Sequence, residues 1–157
     1  MADTSDKVEI KVTQKGINKT VKDLNNISKK LSYIVANVTE EGAKYCKEIA
    51  PVYSGELKGS IYGGLTSPTH GFISSYSEHA KYAEFGVGIV AQNNPHPNID
   101  PTEYDINHHE LNGWTYYDDY AGKFVHTIGY VGNAFFYRTC EYLKNRLGNI
   151  VKVVLKK

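Results

Sequence analysis

A long amphipathic repeat near the N-terminus is the feature that most constrains how this chain of 157 residues folds. From Ile17 to Ile49, apolar residues recur at intervals of three and four, and Gly42 occupies the one remaining slot. This spacing is that of one helical face, so it predicts a single helix ending at about Ala50, before Pro51. Such a helix would be about 50 Å long, more than the core of this domain needs. We expect a kink near Gly42 or a face that serves a partner.

Shorter patterns predict the remaining elements. Strand-like runs occur at 8–12, 60–67, 71–76, 114–117, 123–127 and 150–155. The second and third runs, and the fourth and fifth, are joined by turn residues and predict hairpins. Residues 78–85 predict a short helix stopped by Gly86 in a left-handed conformation, and Asn133 is expected to cap a last helix closed by Gly148 and Asn149. The order predicts one α+β domain over 1–157, with an antiparallel or mixed sheet packed against a long N-terminal and a C-terminal helix.

Two segments lack such patterns. Residues 1–7 are polar and predict a disordered tail, and residues 87–112 hold three of the chain's five prolines. A connection of this length without periodicity is usually functional or disordered. We therefore expect 87–112 to be an inserted flexible loop.

Composition excludes several classes of protein. The formal net charge is +1, whereas proteins that mainly bind nucleic acid or anionic membranes usually carry a basic excess. The N-terminal stretch 1–7 is polar and acidic with no apolar segment of a signal peptide, and no later run approaches about 20 apolar residues, so we expect no signal peptide and no membrane partner. The cysteines, Cys46 and Cys140, both fall in predicted helices and are expected to be buried free thiols.

No catalytic or cofactor motif is complete in the sequence. The glycine pattern at 86–91 follows a predicted helix rather than a strand, so it does not predict a dinucleotide cofactor. The best pool of metal ligands has no tight zinc spacing; it consists of His96, Asp100, Asp105, His108, His109, Glu110 and His126. A metal-dependent hydrolase or nuclease that uses this loop stays open as an alternative. A small DNA-binding module also stays open, because lysines cluster between residues 11 and 30.

Aromatic residues are abundant. Thirteen tyrosines, five phenylalanines and one tryptophan are more than a single core requires. Tyrosine combines contact area with a polar tip that suits protein interfaces. The sequence leaves two interpretations open, an aromatic core whose hydroxyls reach water and a surplus that serves interfaces.

Three blocks of the sequence resemble a family of tailed-bacteriophage neck proteins, described as tail-completion or head-tail joining proteins. The first, Ala50-Pro-Val-Tyr-Ser-Gly-Glu-Leu-Lys-Gly-Ser-Ile61, is similar to the family pattern A-P-x-x-[ST]-G-x-L-[RK]-x-S-I. The second, His79-Ala-Lys-Tyr-Ala-Glu-Phe-Gly86, resembles Y-A-x-Y-x-E-F-G, with histidine in place of the first tyrosine. The closing block comprises Gly113-Trp114, Gly129 and Asn133-Ala-Phe-Phe-Tyr137, and it lacks the proline usual before the last phenylalanine.

The resemblance implies an assembly protein without enzymatic activity, which agrees with the absence of a complete metal or cofactor motif in the sequence. Such a protein would form a ring in the neck of the virion after assembly in the host cytoplasm. Its partners would be other copies of itself, the connector or head-closure protein and the tail-terminator or tail-tube protein, with DNA close by in the channel. The structural or interface residues would be Ser54, Gly55, Leu57, Ile61, Tyr82, Glu84, Phe85, Gly86, Trp114 and Phe136.

The resemblance also implies roles for these residues. Ser54 and Gly55 would form a cap and a turn, and Leu57 and Ile61 would pack in the core. The residues that would shape the end of the short helix are Tyr82, Glu84, Phe85 and Gly86. Plainer alternatives stay open, in which Phe85 is an ordinary core residue and Glu84 only accepts a local hydrogen bond.

Overall fold

The computed structural model describes residues 14–100 and 112–156, and one helix dominates it. The predicted tail (1–7) and first strand (8–12) lie outside the described residues. The helices are α1 (Gln14–Ile49), α2 (Glu56–Ser60), α3 (Ala80–Phe85), α4 (Gly88–Asn93) and α5 (Phe135–Lys156). The strands are β1 (Ile61–Ser67), β2 (His70–Ser75), β3 (Gly86–Val87), β4 (Trp114–Asp118), β5 (Lys123–Thr127) and β6 (Gly129–Val131).

The amphipathic repeat forms α1 as a single helix of 36 residues, about 54 Å long. It passes through Gly42, where the side chains of Ile73 and Leu143 approach the helix closely. A Cβ atom at position 42 would lie 2.5 Å from Ile73 Cδ1 and 2.7 Å from Leu143 Cδ1. The glycine therefore allows β2 and α5 to pack directly on the backbone of α1, and the helix does not end or restart there.

Helix α5 runs antiparallel to the C-terminal half of α1. The rings of Tyr45 and Tyr142 stack with centroids 3.9 Å apart, and the Glu41 carboxylate accepts hydrogen bonds from Tyr142 Oη and Arg146 Nε, both 2.8 Å. These two donors hold the pKa of Glu41 below its ordinary value. Farther along, Lys30 Nζ donates to the Leu155 carbonyl at 3.5 Å. Sequence numbers thus rise along α5 as they fall along α1.

The described strands form three antiparallel pairs, β1–β2, β3–β6 and β4–β5. Both predicted hairpins are confirmed, with Ile61 opposite Ser75 in the first and Trp114 opposite Thr127 in the second. Hairpin β1–β2 packs against α1, whereas β4–β5 packs mainly against itself. The α+β class with two long helices is confirmed, and the sheet is divided into small antiparallel pairs.

Two predictions about elements are wrong. Helix α5 continues through Gly148 and Asn149 to Lys156, so residues 150–155 are helical rather than a strand. The interior glycine costs about 1 kcal/mol, which the burial of Ile150 offsets. The start of the predicted loop 87–112 is ordered as β3 and α4, because Val87, Gly88 and Ala91 are buried. Residues 101–111 lie outside the described part of the chain.

The core lies around the C-terminal half of α1. Cys46, Ala50, Ile61 and Phe135 are buried together, and burial raises the pKa of the Cys46 thiol. The prediction of a buried thiol is confirmed for Cys46 and wrong for Cys140, which is exposed. None of the helices within 14–100 and 112–156 has the length and apolarity needed to cross a bilayer.

Candidate functional site

The three sequence blocks that resemble neck proteins converge on one core, although they lie far apart in the sequence. Ala50, Leu57 and Ile61 of the first block contact the core formed with Cys46 and Phe135. The remaining core residues from these blocks are Ala80 and Ala83 of the second and Phe136 of the third. Leu57 is half-buried and Ile61 is buried, as the resemblance implies.

The first block forms the corner between α1 and β1. Gly55 occupies the N-cap position of α2 with φ of 86° and ψ of −12°, a left-handed conformation that suits glycine. Ser54 precedes the cap, and its Oγ accepts the Glu56 N–H at 3.4 Å. The predicted cap and turn are therefore present, with Gly55 rather than Ser54 at the cap position.

Glu84 joins the second block to the third. Its side chain is buried, and its carboxylate accepts the N–H groups of Phe136 (2.8 Å) and Tyr137 (3.0 Å) in the first turn of α5. Both donors are free backbone groups of a helix N-terminus, where negative charge is favoured. Glu84 is therefore the cap of α5, supplied from more than 50 positions away.

The plainer alternative for Glu84 and the prediction for Asn133 are both wrong at this cap. Glu84 does not bond locally, since its partners lie on α5 and at His96. Asn133 does not cap α5. Its N–H donates to the Ala83 carbonyl at 2.7 Å, and its side-chain oxygen accepts from Arg138 Nη1 at 3.4 Å.

His96 completes this buried junction. Its Nε2 donates to Glu84 Oε1 at 3.1 Å, and its Nδ1 accepts the N–H groups of Asn98 (3.3 Å) and Ile99 (3.2 Å). Since Nδ1 accepts these bonds, the proton of the neutral ring lies on Nε2. His96 thus ties the segment after α4 to the cap of α5. Sequence analysis missed this role and assigned His96 to a pool of metal ligands, because nothing local pairs residues 84 and 96.

The other predicted residues of the second block surround this cap. Gly86 ends α3, and its N–H donates to the Tyr82 carbonyl. Its φ of 82° is positive as predicted, but its ψ of −175° is extended rather than left-handed. Tyr82 and Phe85 are both half-buried, and the Phe85 ring lies 5.1 Å from the His96 ring.

Trp114 and Phe136 of the closing block are also half-buried. A Cβ at Gly88 would lie 3.0 Å from Trp114 Cζ3 and 2.6 Å from the Ile128 oxygen, so this glycine serves close packing rather than an open phosphate site. The Phe136 ring lies 4.5 Å from that of Phe135. Phe136 therefore packs on the core that the three blocks share, whereas Trp114 packs at Gly88.

Within 14–100 and 112–156, no three His, Cys, Asp or Glu side chains are grouped so as to hold a metal ion. In the predicted pool, His96 bonds to Glu84 and His126 lies 3.2 Å from Thr115 Oγ1. Asp100 is exposed, and the remaining members His108, His109, Asp105 and Glu110 lie outside the described residues.

The N-terminal part of α1 forms the first of two uncovered surfaces. Every residue from 14 to 30 is exposed, and we call this segment the arm. Its apolar residues share one helical face, with exposed fractions from 44% to 64%; they are Ile17, Val21, Leu24 and Ile27. The helix thus carries a long apolar stripe that no described residue covers.

The second uncovered surface is aromatic. It consists of exposed aromatic residues on both faces of hairpin β4–β5, because Tyr117 and Phe124 are opposite each other on one face and Tyr116 points to the other. The exposed fractions run from 44% to 74%, and we call the set the tyrosine surface; its members are Tyr53, Tyr116, Tyr117, Tyr120 and Phe124. The Tyr53 ring meets the Tyr120 ring edge-on at 5.0 Å, and Tyr117 meets Phe124 at 5.2 Å. For these residues the tyrosine surplus lies at the surface rather than in the core.

A hydrogen bond orders the tyrosine surface. Tyr53 Oη donates to Asp118 Oδ2 at 2.6 Å, which links the chain after α1 to hairpin β4–β5. This bond raises the pKa of Tyr53 to about 12 and lowers the pKa of Asp118. The stabilisation from the bond is lost as the pH rises through about 12, where Tyr53 ionises, and also as the pH falls through the lowered pKa of Asp118.

We expect replacement of Asp118 by asparagine to return the pKa of Tyr53 toward the ordinary value of about 10, because the charged acceptor is removed. A pH titration of ¹³C-labelled tyrosine rings by NMR measures this change, with Tyr53→Phe to assign the signal. Asp119→Asn is the matched control and should leave the titration unchanged. An unshifted Tyr53 signal in Asp118→Asn would show that this bond is not formed in solution.

No family of known proteins, no curated protein and no solved structure matches this chain. The functional assignment therefore rests on the sequence blocks and on the geometry that surrounds them.

Proposed function

We propose that this chain is a non-enzymatic structural protein of a tailed phage or prophage that joins head and tail as part of an oligomeric ring in the neck. The observation that carries the proposal is the convergence of the three blocks on one core. Their apolar residues fill that core, and their polar residues serve caps and turns, with Glu84 as the cap of α5. Motif residues that pack in a core and cap helices serve the stability of a fold rather than catalysis.

The described side chains that could act in catalysis, Glu84, His96 and Cys46, are buried within the fold, which supports a role without catalysis. Glu84 and His96 are buried and bond to each other and to backbone N–H groups. Cys46 is fully buried, and its raised pKa disfavours the reactive thiolate. In this role the chain needs no metal or cofactor.

The two uncovered surfaces support assembly. Exposed apolar patches on this scale mark interaction sites in proteins. The proposed partners are other copies of this chain, the connector or head-closure protein and the tail-terminator or tail-tube protein. The lysines of the arm would also suit a position close to DNA in the channel.

The proposal is tested in the phage that carries the gene. An amber mutation at Lys22 should give full heads and complete tails that are not joined, and a plasmid copy of the gene should restore joined particles. Mass spectrometry of purified virions should detect the chain. Infectious joined particles from the amber mutant, or virions that lack the chain, would contradict the proposal.

Deletion of the whole segment 87–112 is not a suitable test. Val87, Ala91 and His96 are buried, so the deletion would remove part of the folded core. An assembly defect in that variant would not separate a lost interface from a lost fold.

A further inference from the structure

We propose that the arm binds the phosphate backbone of duplex DNA, without regard to base sequence, through one face of its helix. We call this face the lysine face, and it consists of Lys15, Lys19, Lys22, Lys29 and Lys30. The inference rests on the neck role proposed above for the source of the DNA. It is carried by the separation of these lysines from the apolar stripe and by the charges of the other described residues.

The lysines of the arm are gathered on one side of α1. Successive residues of a helix are rotated by about 100°, so six of the positions between 14 and 30 share an arc of about 100°. Five of the six hold lysine and the sixth holds Asn26, whereas the one acidic residue of the arm, Asp23, lies outside this arc. All six are exposed. The lysine face is thus a row of positive charge about 22 Å long.

The lysine face lies on the opposite side of the helix from the apolar stripe. The stripe from Ile17 to Ile27 is centred about half a turn away from the lysines. It continues the side of α1 that packs against other elements, because Gly42 follows Leu24 by five whole turns and lies against Ile73 and Leu143. A protein element that covers the stripe therefore leaves the lysine face open to a different partner.

The excess positive charge of the described residues lies in the arm. The arm holds five basic residues and one acidic residue, a net charge of +4. The described residues after position 30 hold ten basic and ten acidic residues, a net charge of zero. The ion pairs among the described residues involve Glu41, Glu84 and Glu141, and none of these pairs includes a lysine of the arm. The lysine face therefore suits a polyanion outside the described part of this chain.

Duplex DNA fits the lysine face better than an anionic membrane does. An amphipathic helix at a bilayer buries its apolar face among the lipids. The lysines of the arm, half a turn from the stripe, would then point away from the headgroups. DNA carries one negative charge per about 1.7 Å of its axis, so a row of lysines about 22 Å long can contact several phosphates. Such contacts position a protein on DNA and do not read the sequence.

Binding to phosphates has a characteristic dependence on salt. Each phosphate that is neutralised adds about −0.9 to the slope of log K against log salt concentration. Lys30 Nζ already donates to the Leu155 carbonyl at 3.5 Å, so four or five lysines of the face are available. The expected slope is therefore about −4, which weakens binding by about 10²-fold between about 50 mM and 200 mM salt.

The test measures binding of the full chain to a fluorescent duplex of random sequence by anisotropy. The lysine-face variant is Lys19→Gln with Lys22→Gln, which removes two charges and keeps residues that favour a helix. The matched control is Lys81→Gln with Lys123→Gln, which removes the same charge at exposed positions outside the arm. Lys19→Arg with Lys22→Arg keeps the charge of the face. Circular dichroism checks that each variant keeps its helix content.

We expect the control and the arginine variant to bind the duplex nearly as wild type does. The lysine-face variant should bind about tenfold or more weakly at about 50 mM salt, and its salt slope should be smaller in magnitude by about 1.8. A stripe variant, Leu24→Gln with Ile27→Gln, should bind the duplex like wild type, because the apolar stripe does not contact the phosphates.

Three outcomes would overturn the inference. Wild type that does not bind the duplex at about 1 mM protein and about 50 mM salt has no such site. Equal losses in the lysine-face variant and its control would mean that overall charge, rather than this face, attracts DNA. Stronger binding to vesicles of phosphatidylcholine and phosphatidylglycerol in equal parts, lost in the stripe variant, would make a membrane the partner. Each outcome leaves the neck role standing if the amber mutant still gives unjoined heads and tails.

Discussion

Replacing Glu84 by alanine is expected to lower the free energy of unfolding by about 3 kcal/mol or more, since each buried donor left without a partner costs about 1–3 kcal/mol. The variant removes the acceptor for the N–H groups of Phe136 and Tyr137 and for His96 Nε2. Urea denaturation followed by circular dichroism at 222 nm measures the change. A loss of less than about 1 kcal/mol would show that Glu84 does not cap α5.

Two further variants separate the cap from general effects of substitution. Glu84→Gln keeps one acceptor oxygen in the same place and should lose less than the alanine variant. Glu141→Ala removes an exposed carboxylate that contacts Lys144 within α5 and should change the stability by less than about 1 kcal/mol. If the alanine variant does not fold, the ranking of the glutamine variant and this control still tests the cap.

The cap marks the limit of what the sequence predicts for this chain. Helix α1 and the two hairpins follow from local periodicity and turn residues, and all three were predicted. Glu84 reaches backbone groups 52 and 53 positions later, so no local pattern identifies its partners. The resemblance placed Glu84 among the structural residues, and only the fold shows that its target is the end of another helix.

The errors on α5 have a common physical cause. In the sequence pattern the apolar residues Phe136, Cys140, Leu143 and Leu147 share one face of this helix, whereas the buried residues of α5 are Phe135, Thr139 and Ile150. The inner face is rotated by about one residue, so Cys140 is exposed. Thr139 is acceptable inside because its hydroxyl donates to the Phe135 carbonyl at 2.7 Å. Hydrophobicity alone therefore predicts that Cys140 is buried, whereas the adjacent Thr139 is the buried residue.

The ordered start of the predicted loop has a different cause. Residues 86–91 form a short run of glycine and apolar residues that ends at a polar segment. In so few residues, hydrophobic periodicity does not distinguish a strand from a helix. Pairing of β3 with β6, more than 40 positions away, fixes the outcome. Tertiary contacts thus decide the local structure where the local signal is weakest.

Gly86 and Gly55 provide the second large prediction, because both have positive φ but only Gly86 is enclosed. At Gly86 the backbone has φ of 82° and ψ of −175°, a region that is essentially restricted to glycine. A Cβ there would lie 2.5 Å from the Gly132 nitrogen and 2.6 Å from the Tyr130 oxygen, both backbone atoms of the paired segment. At Gly55 a Cβ would meet no atom within 4 Å.

We expect Gly55→Ala to cost about 1 kcal/mol, the penalty for an L-residue in the left-handed region. Gly86→Ala should cost about 3 kcal/mol or more, because the methyl group also forces β3 and β6 apart. Urea denaturation midpoints of the two variants, measured beside wild type, give the comparison. Equal losses in both would mean that only the backbone angle matters at Gly86, and that β3 and β6 do not approach as closely as their pairing requires.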